Sequence, residues 1–249
     1  CPTKQPTSPE DAGKPGHGCG HNCLGVGSLA AAVAVKEYLK NTPGKSGTVI
    51  YFGCPGEEGG SGKAFMAREG VFDECDACIT WHPNSTNNVR SGSNLANYQI
   101  LYSFQGVSSH AAAAPHLGRS ALDAVELMNV GVQFLREHVI DEARIHYAIT
   151  DAGGYSPNVV QPVAQVLYMV RSPRVGQALD LCERVDDIAK GAALMTGTTF
   201  KKRVIDGTSN TVANFVLEEV LYNNFKEVGV PTYTEEEKKF ARQIIGTYE

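Results

Sequence analysis

The chain has 249 residues, 42% hydrophobic and 20% charged, with a net charge of −5 from 22 basic and 27 acidic side chains. That length accommodates one large domain or two smaller ones around a buried core. The acidic balance and the lack of any basic block argue against a nucleic-acid partner, and no apolar run approaches the ~20 residues that span a bilayer.

The opening segment, 1–18, is polar and rich in Pro and Gly, unlike a signal peptide. Seven cysteines are an odd number in a chain too long to need disulfide staples, so a soluble chain in a reducing, cytoplasmic compartment is expected. Next, residues 24–40 place Leu24, Leu29, Val33 and Leu39 near helical spacing, and Pro43-Gly44 stops the pattern. Two β-branched, aromatic runs, 47–54 and 76–83, read as strands, with a short helix over 60–70 between them. Helix, strand, helix, strand predicts an α/β domain with a largely parallel sheet and crossover helices.

From Asn97 the grammar changes to a strand over 97–106, a helix over 118–138, strands at 143–150 and 159–171, a helix over 175–194 and a strand at 198–205. That order, βαββαβ, is the ferredoxin-like arrangement, here read as an inserted α+β domain over 97–206. The first domain then comprises 1–96 and 207–249, closing with a helix over 211–228 and another that starts at an N-cap Thr234 with an acidic first turn.

Three segments concentrate metal-compatible side chains: GHGCGHN (Cys19, His21), CPGEEGGSG (Glu57, Glu58) and TWHP (His82). All lie at element boundaries, where open α/β sheets bind ligands. Thiolate, imidazole and carboxylate ligands with one open position let a metal lower the pKa of water to about 7, and a neighbouring carboxylate can carry its proton to a leaving amine. Taken singly, a Glu-Glu pair in a glycine-rich loop is more often solvated surface, and a histidine ending an apolar strand is more often a satisfied core residue. Cys75 and Cys78 have C-x₂-C spacing without a second pair and read as packing residues. A thiol hydrolase built on Cys19 is a competing idea that needs an orienting group and an oxyanion hole the sequence does not identify.

Together with SSHAAAAPHLGRSALDAV and GGYSPNVV, these motifs closely resemble the aminoacylase and carboxypeptidase group of dimetal metallopeptidases, family M-twenty, and within it the amidohydrolase branch. The resemblance runs over essentially the whole chain. It implies a catalytic α/β domain interrupted by a ferredoxin-like lid that dimerises, and hydrolysis of an N-acyl or N-aroyl amino acid, aminobenzoyl-glutamate-like, or of a dipeptide. It also implies two divalent ions, zinc or manganese, and a homodimer or a pairing with a second related subunit. Cys19 matches the bridging ligand and His21 its companion, Glu57 the general acid/base, and Glu58 and His82 further ligands. His110 matches the lid histidine that polarises the substrate carbonyl, and Asn158 the lid asparagine that binds substrate carboxylate or oxyanion. Arg171 is a candidate for gripping the carboxylate with its fork.

Asn22 and Cys23 stand where many amidohydrolase relatives have Asp and Gly, which favours the aminobenzoyl-glutamate branch. The family's aspartate motif upstream of the first ligands has no counterpart, and no histidine follows His146 to supply the last ligand. A catalytic domain truncated at both ends is therefore expected, and a catalytically incomplete fragment acting only in binding or dimerisation is the alternative to an active hydrolase.

Overall fold

The computed structural model describes residues 17–246; residues 1–16 of the Pro- and Gly-rich opening segment lie outside them. The chain divides into two compact units. The first draws its residues from Cys1–Cys54, Val71–Arg90 and Asn214–Glu249, the second from Pro55–Gly70 and Ser91–Ala213. Residues 55–70, read from the sequence with the first domain, group with the second unit.

The second unit contains α2 (Gly62–Arg68), then β1 (Ala96–Gln105), α3 (Ala121–Leu135), β2 (Arg144–Asp151), β3 (Val163–Ser172), α4 (Val175–Thr196) and β4 (Thr199–Thr208). The four strands form one antiparallel sheet in the order β2-β3-β1-β4, with Ile100 opposite Tyr168 and Ile145 opposite Val170. Alternation along β1 and β3 turns Ile100, Tyr102, Phe104, Val166, Tyr168 and Val170 into the core. The matching helix stripes recur at helical spacing: Ala121, Ala124, Val125, Met128 and Val132 on α3, and Ala178, Leu181, Cys182, Val185 and Ala189 on α4.

Two tyrosine hydroxyls enter this core, and both are satisfied. Tyr168 Oη donates to Asn129 Oδ1 at 2.5 Å and Tyr102 Oη to Asp186 Oδ1 at 2.6 Å, while Lys202 neutralises the other Asp186 oxygen at 2.5 Å. Burial, reinforced by Asp186, holds the Tyr102 hydroxyl far above the ordinary phenol range.

Element ends follow capping chemistry more closely than periodicity. Ser120 accepts from Asp123 N and starts α3 later than the apolar pattern suggests. Pro162, with no N–H to give a ladder, precedes β3, so 159–162 stays outside the strand and pairs through the bridge of Val159 to His110 and isolated backbone bonds.

The first unit holds α1 (His21–Asn41), α5 (Phe215–Val228) and α6 (Glu235–Ile245). Asn214 Oδ1 accepts from Leu217 N and moves the start of α5 to Phe215 from the expected 211. Thr234 caps α6 as read, in a capping box with Glu237. The expected parallel sheet is not found: among the described residues, 47–54 and 76–83 form no hydrogen-bonded strand. β-branched runs favour extended backbone, but a strand exists only where a ladder partner is paired to it. No described residue of this unit is buried; Ile79, for example, is 74% exposed.

Candidate metal centre

In the first unit the chain turns at His17–Gly20, where Gly20 N donates to His17 O at 3.1 Å, and enters α1 at His21. Gly20 sits at φ +73°, and a Cβ there would come within 2.6 Å of Pro83 Cγ. The left-handed turn and the close approach both require glycine, so the Cys-Gly-His spacing lets the 81–83 segment reach the start of α1. Trp81 fixes that segment further, its indole N–H donating to Leu24 O in the first turns of the helix at 3.2 Å.

The result brings three of the expected ligands together. One donor atom each from Cys19, His21 and His82 lies within 4.8 Å of the others. Cys19 Sγ is 3.4 Å from His82 Nε2, and the two imidazoles stand edge to face with centroids 5.6 Å apart. His82 Nδ1 is 2.8 Å from the carbonyl oxygen of Pro83 and can only donate to it, which leaves the Nε2 lone pair directed toward Cys19. Backbone fixing of the second ring nitrogen is the usual device for orienting a metal-binding histidine. One thiolate and two imidazoles suit zinc by softness and by ligand type.

The second unit holds the remaining expected residues. Glu57 and Glu58 follow Pro55 in a turn closed by Gly60 N donating to Gly56 O at 2.9 Å. His110 and Asn158 are brought together by the backbone: Ala111 N donates to Asn158 O and Val160 N to Ser109 O, both at 2.9 Å, on either side of the His110–Val159 bridge. His110 Nδ1 accepts from the backbone N–H groups of Ala112 and Ala113 at 3.2 and 3.1 Å. That occupancy puts the ring proton on Nε2, which becomes an outward-facing donor.

Arg171, on β3, lies across from Arg144 of β2 and packs its guanidinium on Met169 Sδ at 2.7 and 3.1 Å. Among the described residues it forms no ion pair. Arg144 turns its own guanidinium to the backbone carbonyls of Asp141 and Ala143.

The sequence reading missed Trp81 and Gly20 as positioning groups, although both stand inside motifs already singled out. Their role is steric and backbone-based, which residue type alone does not announce.

A family model described as Peptidase family M20/M25/M40 matches residues 2–201. The chain is 52% identical over 243 residues to the B subunit of the p-aminobenzoyl-glutamate hydrolase of Escherichia coli (strain K12), covering 98% of this chain and 50% of that protein. It is 30% identical to the Xaa-Arg dipeptidase of Mus musculus, over 92% of this chain and 51% of the relative. The crystal structure of the aminobenzoyl-glutamate utilization protein from Klebsiella pneumoniae aligns with TM-score 0.61 at 22% identity, over 84% of this chain and 53% of that one, a likeness of fold alone. The chain thus spans about half the length of the curated relatives it matches. With the family model matched over most of its residues, the chain belongs to peptidase family M20/M25/M40.

Proposed function

We propose that this chain serves a metal-dependent amidohydrolase acting on an N-acyl or N-aroyl amino acid, aminobenzoyl-glutamate-like, or on a dipeptide. The observation that carries the reading is the convergence of Cys19, His21 and His82 with the His82 ring oriented by Pro83 O. Family membership and the relatives' names support the reaction class.

In this reading Cys19, His21, His82 and Glu58 would hold two divalent ions, which would supply Lewis acidity and a water acidic enough to ionise near neutral pH. The thiolate favours zinc over manganese. Glu57 takes the proton of the attacking water and returns it to the amine nitrogen as the C–N bond breaks. His110, with its proton on Nε2, donates to the oxygen that gains charge as the carbonyl carbon becomes tetrahedral. Asn158 and Arg171 hold the substrate carboxylate.

The test uses the 249-residue chain dialysed against zinc or manganese, with metal content and hydrolysis of an N-benzoyl amino acid measured side by side. Cys19→Ser and His82→Ala should each lose metal and turnover, whereas Glu57→Gln should keep the metal and lose turnover by at least about a hundredfold, as expected for a general base. Turnover that survives a chelator overturns the metal-dependent reading and returns Cys19 as a thiol nucleophile.

The β1–β4 unit, close to 97–206, is on this reading the ferredoxin-like lid, and a second copy pairs with it. Support comes from β2, an edge strand whose Tyr147 and Ile149 are exposed, and from exposed Val130 and Phe134 on α3. The Escherichia coli relative is named as one subunit of its hydrolase, which also makes a second related subunit a candidate partner. Light scattering should give a dimer mass that Ile149→Lys, a charge on the sheet edge, returns to monomer; a monomeric wild-type chain overturns the homodimer.

A further inference from the structure

Between β2 and β3 the chain makes an excursion that the chemistry assigned above uses only at Asn158. It leaves β2 through Gly153, whose N–H donates to Asp151 Oδ1 at 2.8 Å and whose φ is +81°. A Cβ on Gly153 would come 2.3 Å from Val163 O, so only glycine allows the turn. The return is closed by Val159 N donating to Ser156 O at 3.2 Å and by the two backbone bonds that tie 158–160 to 109–111. The excursion is therefore held at both ends, and its far end is fastened to the turn that carries His110.

At the tip stands Tyr155, 105% exposed, the most exposed of the large hydrophobic side chains described. Single surface aromatics are ordinary and need no explanation. This one differs in its mounting. It lies three residues before Asn158, on a backbone clamped to both neighbours of His110, so the loop that offers the Asn158 carboxamide and is fastened to the His110 turn also offers a bare phenol ring. A tyrosine ring presents a large flat face with little rotamer entropy to lose, and it gains by offset or edge-to-face contact with another ring. Its hydroxyl can stay in water while the face is covered.

Resting on the amidohydrolase reading, we propose that Tyr155 is a specificity residue that stacks on the aromatic ring of an N-aroyl substrate, selecting aroyl over small alkanoyl acyl groups. It takes no part in proton transfer. Its contact is with the acyl side of the scissile amide, whereas Asn158 and Arg171 act on the amino-acid carboxylate.

The experiment compares N-benzoyl and N-acetyl derivatives of one amino acid on the zinc-loaded 249-residue chain, as wild type, Tyr155→Ala and Tyr155→Phe. Tyr155→Ala should lower the benzoyl-to-acetyl ratio of kcat/KM about 3- to 10-fold, carried by KM, as loss of an aromatic pair predicts. Tyr155→Phe, which keeps the ring face, should restore the ratio. An unchanged ratio in Tyr155→Ala, or a phenylalanine variant no better than alanine, overturns the assignment. Calorimetric binding of N-benzoyl and N-acetyl amino acid to the same proteins separates this from failure of the functional reading. Should the wild type turn over neither compound, the amidohydrolase reading fails. Tyr155 then stands only if its removal still weakens benzoyl binding selectively, and falls if it does not.

Discussion

The two units of this chain hold their functional groups by different means. In the β1–β4 unit strands β1–β3 and helices α3 and α4 build one closed core, and His110 and Asn158 project from loops anchored by the sheet and by paired backbone bonds. In the other unit no described residue is buried, and Cys19, His21 and His82 converge through a left-handed glycine, a proline contact and one indole hydrogen bond. Packing preorganises the first set, whereas local backbone chemistry preorganises the second. Because no described residue of this unit is buried, metal binding and local folding should be coupled at Cys19, His21 and His82, with no corresponding effect on the core around Tyr168.

The largest way to break that contrast is to delete the same kind of apolar group from each unit. Met128 is fully buried on α3, and Met128→Ala should cost about 2–5 kcal/mol in urea unfolding, from lost transfer free energy and the cavity left behind. Leu29, on the apolar stripe of α1, is 48% exposed, and Leu29→Ala should cost less than about 1 kcal/mol. Amide hydrogen exchange in β1 and β3 should follow the first substitution and ignore the second. Equal losses for the two would show that α1 is packed as tightly as α3 and would dissolve the distinction.

The same contrast explains what could be read in advance. Alternation at Ile100, Tyr102 and Phe104 and the helical spacing of Ala121, Ala124, Val125 and Met128 are records of burial, so the βαββαβ order was legible where a core exists. The runs 47–54 and 76–83 carry the same β-branched composition, yet composition does not supply a ladder partner, and neither run forms a strand. Cys19, His21 and His82 were legible because ligand-type side chains at element ends are chemically unusual in that combination. The Pro83 carbonyl that orients His82, the φ of Gly20 and the exposure of Tyr155 are backbone and geometric facts with no residue-type signature. Glu57 and Glu58 fall in a turn, as their glycine-rich surroundings suggested, and their roles rest on motif likeness to the family.

Titration offers a finer way to sharpen the comparison, because each unit holds a perturbed group that responds at the opposite end of the pH scale from one in the other. In the core, burial pushes the Cys182 thiol up to about 11 and raises the Tyr102 and Tyr168 hydroxyls beyond it. A neutral acid whose pKa is raised by folding adds stability that is complete below its unfolded value, about 8.5 for a thiol, and is lost as pH rises through the folded value. The β1–β4 unit should therefore weaken from about pH 9 upward, and Cys182→Ala should remove the earliest part of that loss. In the other unit, the backbone N–H of Thr234, with its hydroxyl, holds the Glu237 carboxyl below the usual carboxylate range. A depressed carboxyl adds stability above its unfolded value, about 4.3, which disappears as pH falls through the folded value. Acid should then fray α6 by a small amount, readable as faster exchange of its first amides below about pH 4. Glu237→Gln keeps an acceptor for the Thr234 N–H but cannot titrate, so it should abolish that acid step. Persistence of the step in the glutamine variant would assign it to another carboxylate of the acidic first turn, Glu235 or Glu236, and would leave the capping box without a role in the acid response.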